Sequence, residues 1–241
     1  MEIKFIGTGG AFESEYGNSS AMVTCNGKSF LIDCGFTVFD TLKKFDLFST
    51  IDYILITHLH NDHTGSLVNT LLYYSLHIRK GEKMKIIYPT NKFRKQLSRS
   101  LAFALMNTDD FVEWIPIKEV NEVSFINTFG LHVEDYQTYG FIFREGHDAL
   151  VYSGDIGDGD FVFQKLKKKK IKSATVFHEL VFDPVPGHTH YSVLMKHQNG
   201  YQIYGYHCDP RKNKPDNTIP LVADHPEFML KPILQPAEVD S

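Results

Sequence analysis

The sequence predicts an α/β fold of the layered αββα type, in which helices cover two stacked sheets. Three observations carry this prediction: a length of 241 residues, short apolar segments that recur between turns, and His or Asp residues at the ends of those segments. A chain of this length can bury a substantial core and suits one large domain. We therefore expect a single domain over residues 1–241, with a proline-rich C-terminal segment from about residue 210.

Short apolar runs bounded by turn residues predict the strands. The first strands form an N-terminal meander and are expected at residues 3–7, 21–25, 29–33 and 51–57. Further strands are expected at residues 83–88, 123–129, 140–144, 150–153, 174–177 and 202–206. Layered α/β enzymes build their sites at strand ends and in the loops that follow them. The His and Asp residues beside these ends are therefore candidates for a functional site.

Apolar residues at helical spacing predict the helices. One helix is expected over residues 64–79 and a second over residues 91–106. A third begins near Asp160 and ends in a lysine-rich run over residues 165–172. Because cations suit the C-terminal end of a helix, we interpret these lysines as a solvated helix face rather than a nucleic-acid site.

Composition and charge argue against several classes of protein. The formal net charge of −4 disfavours unspecific binding of long nucleic acid. Cys25, Cys34 and Cys208 are too few and too scattered for a disulfide framework. No apolar run in the sequence is long enough to cross a bilayer, so we expect a cytoplasmic protein without a membrane partner.

The segment after the strand at residues 51–57 concentrates imidazoles and a carboxylate in a few positions. They belong to His58, His60, Asp62 and His63. Imidazole nitrogens and carboxylate oxygens bind Zn²⁺, Mn²⁺ or Fe²⁺, and a strand end with a tight loop can bring them together. A single histidine is more often structural, but the joint pattern H-x-H-x-D-H predicts a metal site.

This pattern resembles the ligand motif of the metallo-β-lactamase superfamily, and the resemblance extends along nearly the whole chain. Residues 31–35 (LIDCG) resemble the family's first acidic motif, and residues 153–155 (SGD) resemble the motif that supplies a bridging carboxylate. The resemblance implies two divalent metal ions, Zn²⁺ by preference with Mn²⁺ as the alternative. The implied ligands are His58, His60 and His132 for one ion, Asp62, His63 and His207 for the other, and Asp155 for both.

Two further motifs resemble the ribonuclease Z branch of this superfamily. Residues 176–179 (VFHE) resemble its H-E-A-T motif, and residues 187–190 (GHTH) lie where that branch has its catalytic histidine loop. The resemblance implies that Glu179 orients a histidine that protonates the leaving oxygen, in a site where Asp62 is also essential. His188 is the preferred acid, and His190 remains an alternative, because two histidines in one loop cannot be separated by sequence.

The N-terminal glycine loop, residues 7–12 (GTGGAF), and the following residues 17–20 (GNSS) also resemble this branch. One interpretation is a tight turn between strands. The other is a substrate-binding loop whose N–H groups and hydroxyls approach phosphate. The candidate residues are Gly9, Gly10, Ser19 and Ser20.

The substrate class follows from what the interval between His132 and Asp155 contains. It is short and has no long basic arm of the kind that grips tRNA, which favours a small substrate. The compact chain, its GTGGAF and NSS segments and its proline-rich tail resemble the anti-Pycsar protein 1 group of phages and bacteria. That resemblance implies a homodimer that hydrolyses 3′,5′-cyclic mononucleotides such as cCMP, cUMP, cAMP and cGMP to nucleoside monophosphates, counteracting antiviral signalling. A base stacked on an aromatic side chain such as Phe228 is a further hypothesis.

Other functions remain open from sequence alone. They are tRNA 3′ processing of the ribonuclease Z kind, hydrolysis of lactones or similar small esters, and metal-dependent binding without turnover. Cleavage of a precursor tRNA or of a lactone separates the first two functions from a cyclic-nucleotide phosphodiesterase. Inactivity towards cyclic nucleotides, tRNA and lactones indicates metal-dependent binding without turnover.

Overall fold

Two sheets stack at the centre of the molecule, because strands that are apolar on both faces need cover on each side. The computed structural model describes residues 1–230. The first sheet consists of β1 (Glu2–Gly7), β2 (Ser20–Cys25), β3 (Lys28–Ile32), β4 (Tyr53–Leu55), β5 (Met84–Tyr88) and β6 (Val112–Pro116). These strands lie side by side in chain order, antiparallel from β1 to β3 and parallel from β3 to β6.

The second sheet consists of β7 (Val123–Asn127), β8 (Tyr139–Glu145), β9 (Asp148–Tyr152), β10 (Thr175–Glu179) and β11 (Gln202–Tyr206). Its order is also that of the chain, antiparallel from β7 to β9 and parallel from β9 to β11. The carboxyl ends of parallel strands meet at one edge of a sheet, so loops after β9, β10 and β11 converge there.

Helices cover the outer faces of both sheets. They are α1 (Val38–Lys44), α2 (Asn61–Thr64), α3 (Leu67–Tyr73), α4 (Asn91–Leu105), α5 (Gly159–Lys168) and α6 (Tyr191–Met195). A π-helical turn spans Tyr74–Ile78, and short 3₁₀ turns include Ser14–Tyr16, Phe48–Thr50, Thr108–Asp110, Ile117–Glu119, Pro210–Lys212 and Val222–Asp224. Buried residues of α1, α3 and α4 share a core with the first sheet, and those of α5 and α6 pack with the second.

Aromatic rings join the two sheets. The ring of Phe5 on β1 lies 5.3 Å from that of Phe177 on β10, between ring centroids, and 5.5 Å from that of Tyr206 on β11. Phe30 on β3 contacts Phe143 on β8 at 5.3 Å. Such pairs add to the free energy gained by burying the apolar area itself. The layered αββα fold predicted from the sequence is therefore confirmed.

The helix expected over residues 64–79 is interrupted at Gly65 and Ser66. The Ser66 backbone N–H donates to the carbonyl of Cys34 at 3.0 Å, and its hydroxyl donates to the carbonyl of Gly35 at 2.6 Å. These bonds hold the backbone of Ser66 against the loop after β3, so α2 does not continue into α3. The helices α1 and α6 and the strand β6 were not predicted from the sequence. β6 is an edge strand that ends in a proline, which weakens its pattern.

The segment after residue 210 returns to the edge of the first sheet, where it lies beside β1. Phe5 donates its backbone N–H to the carbonyl of Phe228 at 2.6 Å and accepts one from Leu230 at 3.0 Å. The last part of the expected proline-rich segment, residues 231–241, lies outside the described residues. Within residues 1–230, no helix combines the length and apolar character that crossing a membrane requires.

Candidate metal centre

The loop after β4 is held by Asp33, which follows β3 with a left-handed backbone (φ 62°). Its carboxylate accepts hydrogen bonds from the backbone N–H of Thr57 at 2.7 Å and from the Thr57 hydroxyl at 2.8 Å. Nδ1 of His63 lies 2.8 Å from the same carboxylate. Burial raises the pKa of Asp33, and the bonds from His63 and Thr57 oppose that rise. With Nδ1–H donated to Asp33, Nε2 of His63 keeps a lone pair for a metal.

A first group of donors brings together three imidazoles from two loops. Nε2 of His58 lies 2.9 Å from Nδ1 of His60, and Nε2 of His132 lies 3.2 Å from the same atom. Nδ1 of His132 lies 2.8 Å from the carbonyl of Gly187, which fixes the ring. Burial lowers the pKa of His58, His60 and His132, so all three favour the neutral form that binds metal.

A second group joins Asp62, His63, Asp155 and His207, all buried. Nε2 of His207 lies 3.4 Å from Oδ2 of both Asp62 and Asp155. Nε2 of His63 lies 3.2 Å from Oδ2 of Asp62 and 3.4 Å from Oδ2 of Asp155. Burial raises the pKa of Asp155, but the charges of His207 and His63 outweigh it and hold that pKa well below its usual range.

Asp155 lies between the two groups. Its Oδ2 is 3.9 Å from Nε2 of His58 and 3.9 Å from Nε2 of His132, while it also faces the second group. Among residues 1–230, Oδ1 of Asp155 and Nε2 of His63 are buried without a hydrogen-bond partner. Buried polar atoms rarely remain unpaired, so this donor set fits divalent cations. The seven residues predicted from the sequence therefore converge, in an arrangement that could hold divalent metal.

His207 is held by the glycine loop. Its backbone is left-handed (φ 64°), and its N–H donates to the carbonyl of Thr8 at 2.8 Å. A left-handed histidine costs free energy and persists because surrounding contacts fix it. The residue that follows β1, Thr8, thus positions His207, which follows β11.

Glu179 and His188 form a pair beside these groups. Oε1 of the buried Glu179 accepts the backbone N–H of Thr189 at 2.8 Å and that of Ile156 at 3.2 Å. Its Oε2 lies 3.2 Å from Nδ1 of His188, whose ring stacks on that of His207 with centroids 5.5 Å apart. Burial lowers the pKa of His188, but the hydrogen bond and charge of Glu179 outweigh it and raise the pKa to about 9.

His190, the alternative acid, lies apart from this pair. Its Nδ1 contacts the hydroxyl of Ser192 at 2.8 Å at the beginning of α6. The structure brings His188 to Glu179, whereas His190 is the residue that precedes α6.

The glycine loop is a tight turn for most of its length. The hydroxyl of Ser19 donates to the carbonyl of Gly9 at 2.9 Å, and that of Ser20 donates to the carbonyl of Asp33 at 2.9 Å. Both serines are buried, and a Cβ on Gly9 would lie 2.5 Å from the carbonyl of Glu13. Of the four candidate substrate-binding residues, Gly10 alone lines the cavity above the metal donors.

A cavity of about 470 Å³ opens above the donors. His60, Asp62, His132, Asp155, His188 and His207 line it. This volume lies within the usual range for small-molecule sites. Phe228 lies outside this cavity, against the rings of Phe177 and Tyr204, so it does not reach a base bound in the cavity of its own chain.

Two residues next to the site were not predicted from the sequence. The ring of Tyr136 stacks on that of His60 with centroids 4.9 Å apart. Arg211 donates hydrogen bonds to Asp209, which lines the cavity, at 2.8 Å and to Glu15 at 2.6 Å, and so ties the segment after His207 to the 3₁₀ turn that follows the glycine loop. Neither residue belongs to a local pattern, so only the packing of distant segments identifies them.

Comparison with known proteins decides the family. Residues 1–223 match the family model described as anti-Pycsar protein Apyc1. The chain belongs to this family. An anti-Pycsar protein Apyc1 from Bacillus phage BSP38 is 38% identical over 112 residues, which is 46% of this chain and 43% of the phage protein. That match spans less than half of the phage protein's length.

Solved structures similar to this member of the Apyc1 family share its fold. Human tRNase Z, short form, superposes with a TM-score of 0.67 and 21% identity, covering 88% of this chain and 95% of that protein. The metallo-β-lactamase fold protein YhfI from Bacillus subtilis gives a TM-score of 0.66 and 16% identity, covering 86% and 85%. The metallo-β-lactamase fold expected from the sequence is thereby confirmed.

Proposed function

We propose that this chain is a metal-dependent phosphodiesterase that hydrolyses 3′,5′-cyclic mononucleotides to nucleoside monophosphates. One observation carries the proposal: the Glu179–His188 pair and both donor groups face a single cavity of about 470 Å³. Membership of the Apyc1 family supports cyclic nucleotides as the substrate and the reduction of an antiviral signal as the role. A homodimer is part of the same proposal.

The donors fit two divalent cations, Zn²⁺ by preference and Mn²⁺ as the alternative. His58, His60 and His132 would hold one, Asp62, His63 and His207 the other, and Asp155 both. When bound, a pair of such ions lowers the pKa of a shared water and neutralises charge on the phosphoryl group.

The protein's own residues supply the remaining chemistry. Asp33 and the carbonyl of Gly187 fix the rings of His63 and His132, so that the donor atoms are in place before substrate arrives. Nδ1 of His188 faces Glu179, which leaves Nε2 to give its proton to the departing ribose oxygen. Because Glu179 raises the pKa of His188 to about 9, this histidine carries the proton at neutral pH.

The size and charge of the substrate follow from the surroundings. A cavity of this volume accommodates a mononucleotide, and a net charge of −4 gives a long polyanion no general attraction. The phosphate would meet the His and Asp donors at the floor, while sugar and base extend towards the opening.

A substrate screen tests the proposal. Metal-loaded protein is incubated separately with cCMP, cUMP, cAMP, cGMP, a precursor tRNA and an acyl-lactone. We expect nucleoside monophosphates from the cyclic nucleotides and no such turnover after chelation. Cleavage of the tRNA or the lactone without turnover of any cyclic nucleotide would contradict the proposal, and inactivity towards all six would indicate a binding protein.

A further inference from the structure

The cavity has a polar floor and an apolar rim. The rim carries Phe12, Val133 and Val185, whose exposed fractions are 92%, 42% and 47%. They come from three separate loops: the glycine loop, the loop that contains His132 and the loop that contains His188. Exposed apolar side chains gathered around one opening mark a surface that becomes covered when a ligand binds.

The charged side chains at this rim pair with one another. Nζ of Lys214 lies 2.9 Å from Asp183, Nε of Arg211 lies 2.8 Å from Asp209, and Nζ of Lys212 lies 3.9 Å from Glu13. Each carboxylate at the rim therefore has a cationic side chain beside it. This pairing weakens the repulsion between the carboxylate and an anionic substrate, and it leaves the carboxylate less free to bond a base. The apolar side chains are left as the main contact for the upper part of a ligand.

We propose that Phe12, supported by Val133 and Val185, forms a shelf that binds the face of the nucleobase and so determines substrate affinity. This inference rests on the proposed function. With the cyclic phosphate at the His and Asp donors, the base projects towards the opening, where an aromatic ring can stack on it. Every base has a π-face, so a shelf of this kind accepts purines and pyrimidines alike.

Steady-state kinetics with a matched control test the shelf. The variants are Phe12→Ala, Phe12→Tyr, which keeps a ring, and Phe103→Ala. Phe103 is 95% exposed on α4 and is not part of the cavity lining, so it controls for loss of an exposed phenyl group. The substrates are cAMP, cUMP and ribose 3′,5′-cyclic phosphate, which has no base.

We expect Phe12→Ala to raise KM for both nucleotides about tenfold, equivalent to about 1.4 kcal/mol, with kcat within about twofold. KM for the base-free substrate should stay unchanged, and Phe12→Tyr and Phe103→Ala should resemble the wild type. Binding of a non-hydrolysable phosphorothioate analogue of cAMP, measured by calorimetry, should weaken in Phe12→Ala by the same factor.

Two results would overturn the shelf while leaving the proposed function intact. One is a KM for cAMP and cUMP that Phe12→Ala leaves within twofold of the wild type. The other is an equal loss with the base-free substrate, which would show that Phe12 acts on the phosphate site. A wild-type protein that turns over no cyclic nucleotide overturns the proposed function itself and the shelf with it.

Discussion

Nδ1 of His188 lies 3.2 Å from the carboxylate of Glu179, and this contact turns the His188 ring towards the clustered metal donors. His190, two residues later, contacts Ser192 instead. A proton donor must lie within reach of the leaving group and hold a proton at working pH. His188 meets both requirements, and His190 lacks a place beside the donors.

The two histidines should therefore differ in their effect on turnover. We expect His188→Ala to lower kcat for cUMP by about 10²–10⁴-fold, since its proton transfer is lost. His190→Ala should stay within about threefold, because that side chain bonds only at the helix terminus. Single-turnover rates at saturating substrate measure the difference. A larger loss in His190→Ala would contradict the assignment of the acid.

Metal binding should release protons at neutral pH. Burial lowers the pKa of His63 and that of His207, but neighbouring carboxylates outweigh it. Asp155 and Asp33 hold the pKa of His63 well above its usual range, and Asp155 and Asp62 raise the pKa of His207. Both shifts favour the protonated ring in the metal-free protein, and that proton must leave for a cation to bind. Affinity should rise with pH until these rings are neutral. Calorimetry in buffers of different ionisation enthalpy counts the protons, and zero release at pH 7 would refute this.

Asp33 should control metal affinity without touching the metal. In Asp33→Asn the amide can still accept from Thr57, but the charge beside His63 is lost. We expect about 10–100-fold weaker binding at the second donor group. Asp46→Asn is the control, because Asp46 is exposed and also has a left-handed backbone (φ 53°). Competition with a chromophoric chelator gives the metal affinity of each variant. Equal affinities for Asp33→Asn and Asp46→Asn would show that Asp33 does not control metal binding.

Gly35 should be essential for packing the ligand loop. A Cβ at this position would lie 1.9 Å from the backbone oxygen of Asp62 and 2.6 Å from Cβ of Asn18. We expect Gly35→Ala to lower the free energy of unfolding by about 2 kcal/mol or more, since backbone must move. Gly200→Ala, whose Cβ would lie 3.9 Å from its nearest neighbour, should change it by less than about 0.5 kcal/mol. Denaturant titrations of the metal-free proteins compare the two.

The sequence predicted best what lies close together along the chain. His58 to His63 follow one strand, so their convergence needs only a tight loop. His132, Asp155 and His207 required the family resemblance, because spacing alone does not show that distant loops meet. The choice between His188 and His190 depended on which way a short loop turns around Thr189.

The environment of other candidate residues depends on tertiary contacts. Ser19 and Ser20 look available in a glycine-rich segment, yet both hydroxyls are used by neighbouring carbonyls. Phe228 has the right chemistry for a base but packs beside Phe177, and Phe12 occupies the rim instead. The exposure of Phe12 and the partial burial of Phe228 depend on packing between distant segments, which no local pattern encodes.

The position of His207 late in the chain sets an order on assembly during synthesis. Its backbone bonds to Thr8, and its side chain completes the donor group begun by Asp62 and His63. The second donor group can therefore close only after His207 has left the exit tunnel of the ribosome. The first group also waits for a later segment, because the carbonyl of Gly187 fixes the ring of His132. A nascent chain thus carries its early histidines for most of its synthesis before either donor group is complete.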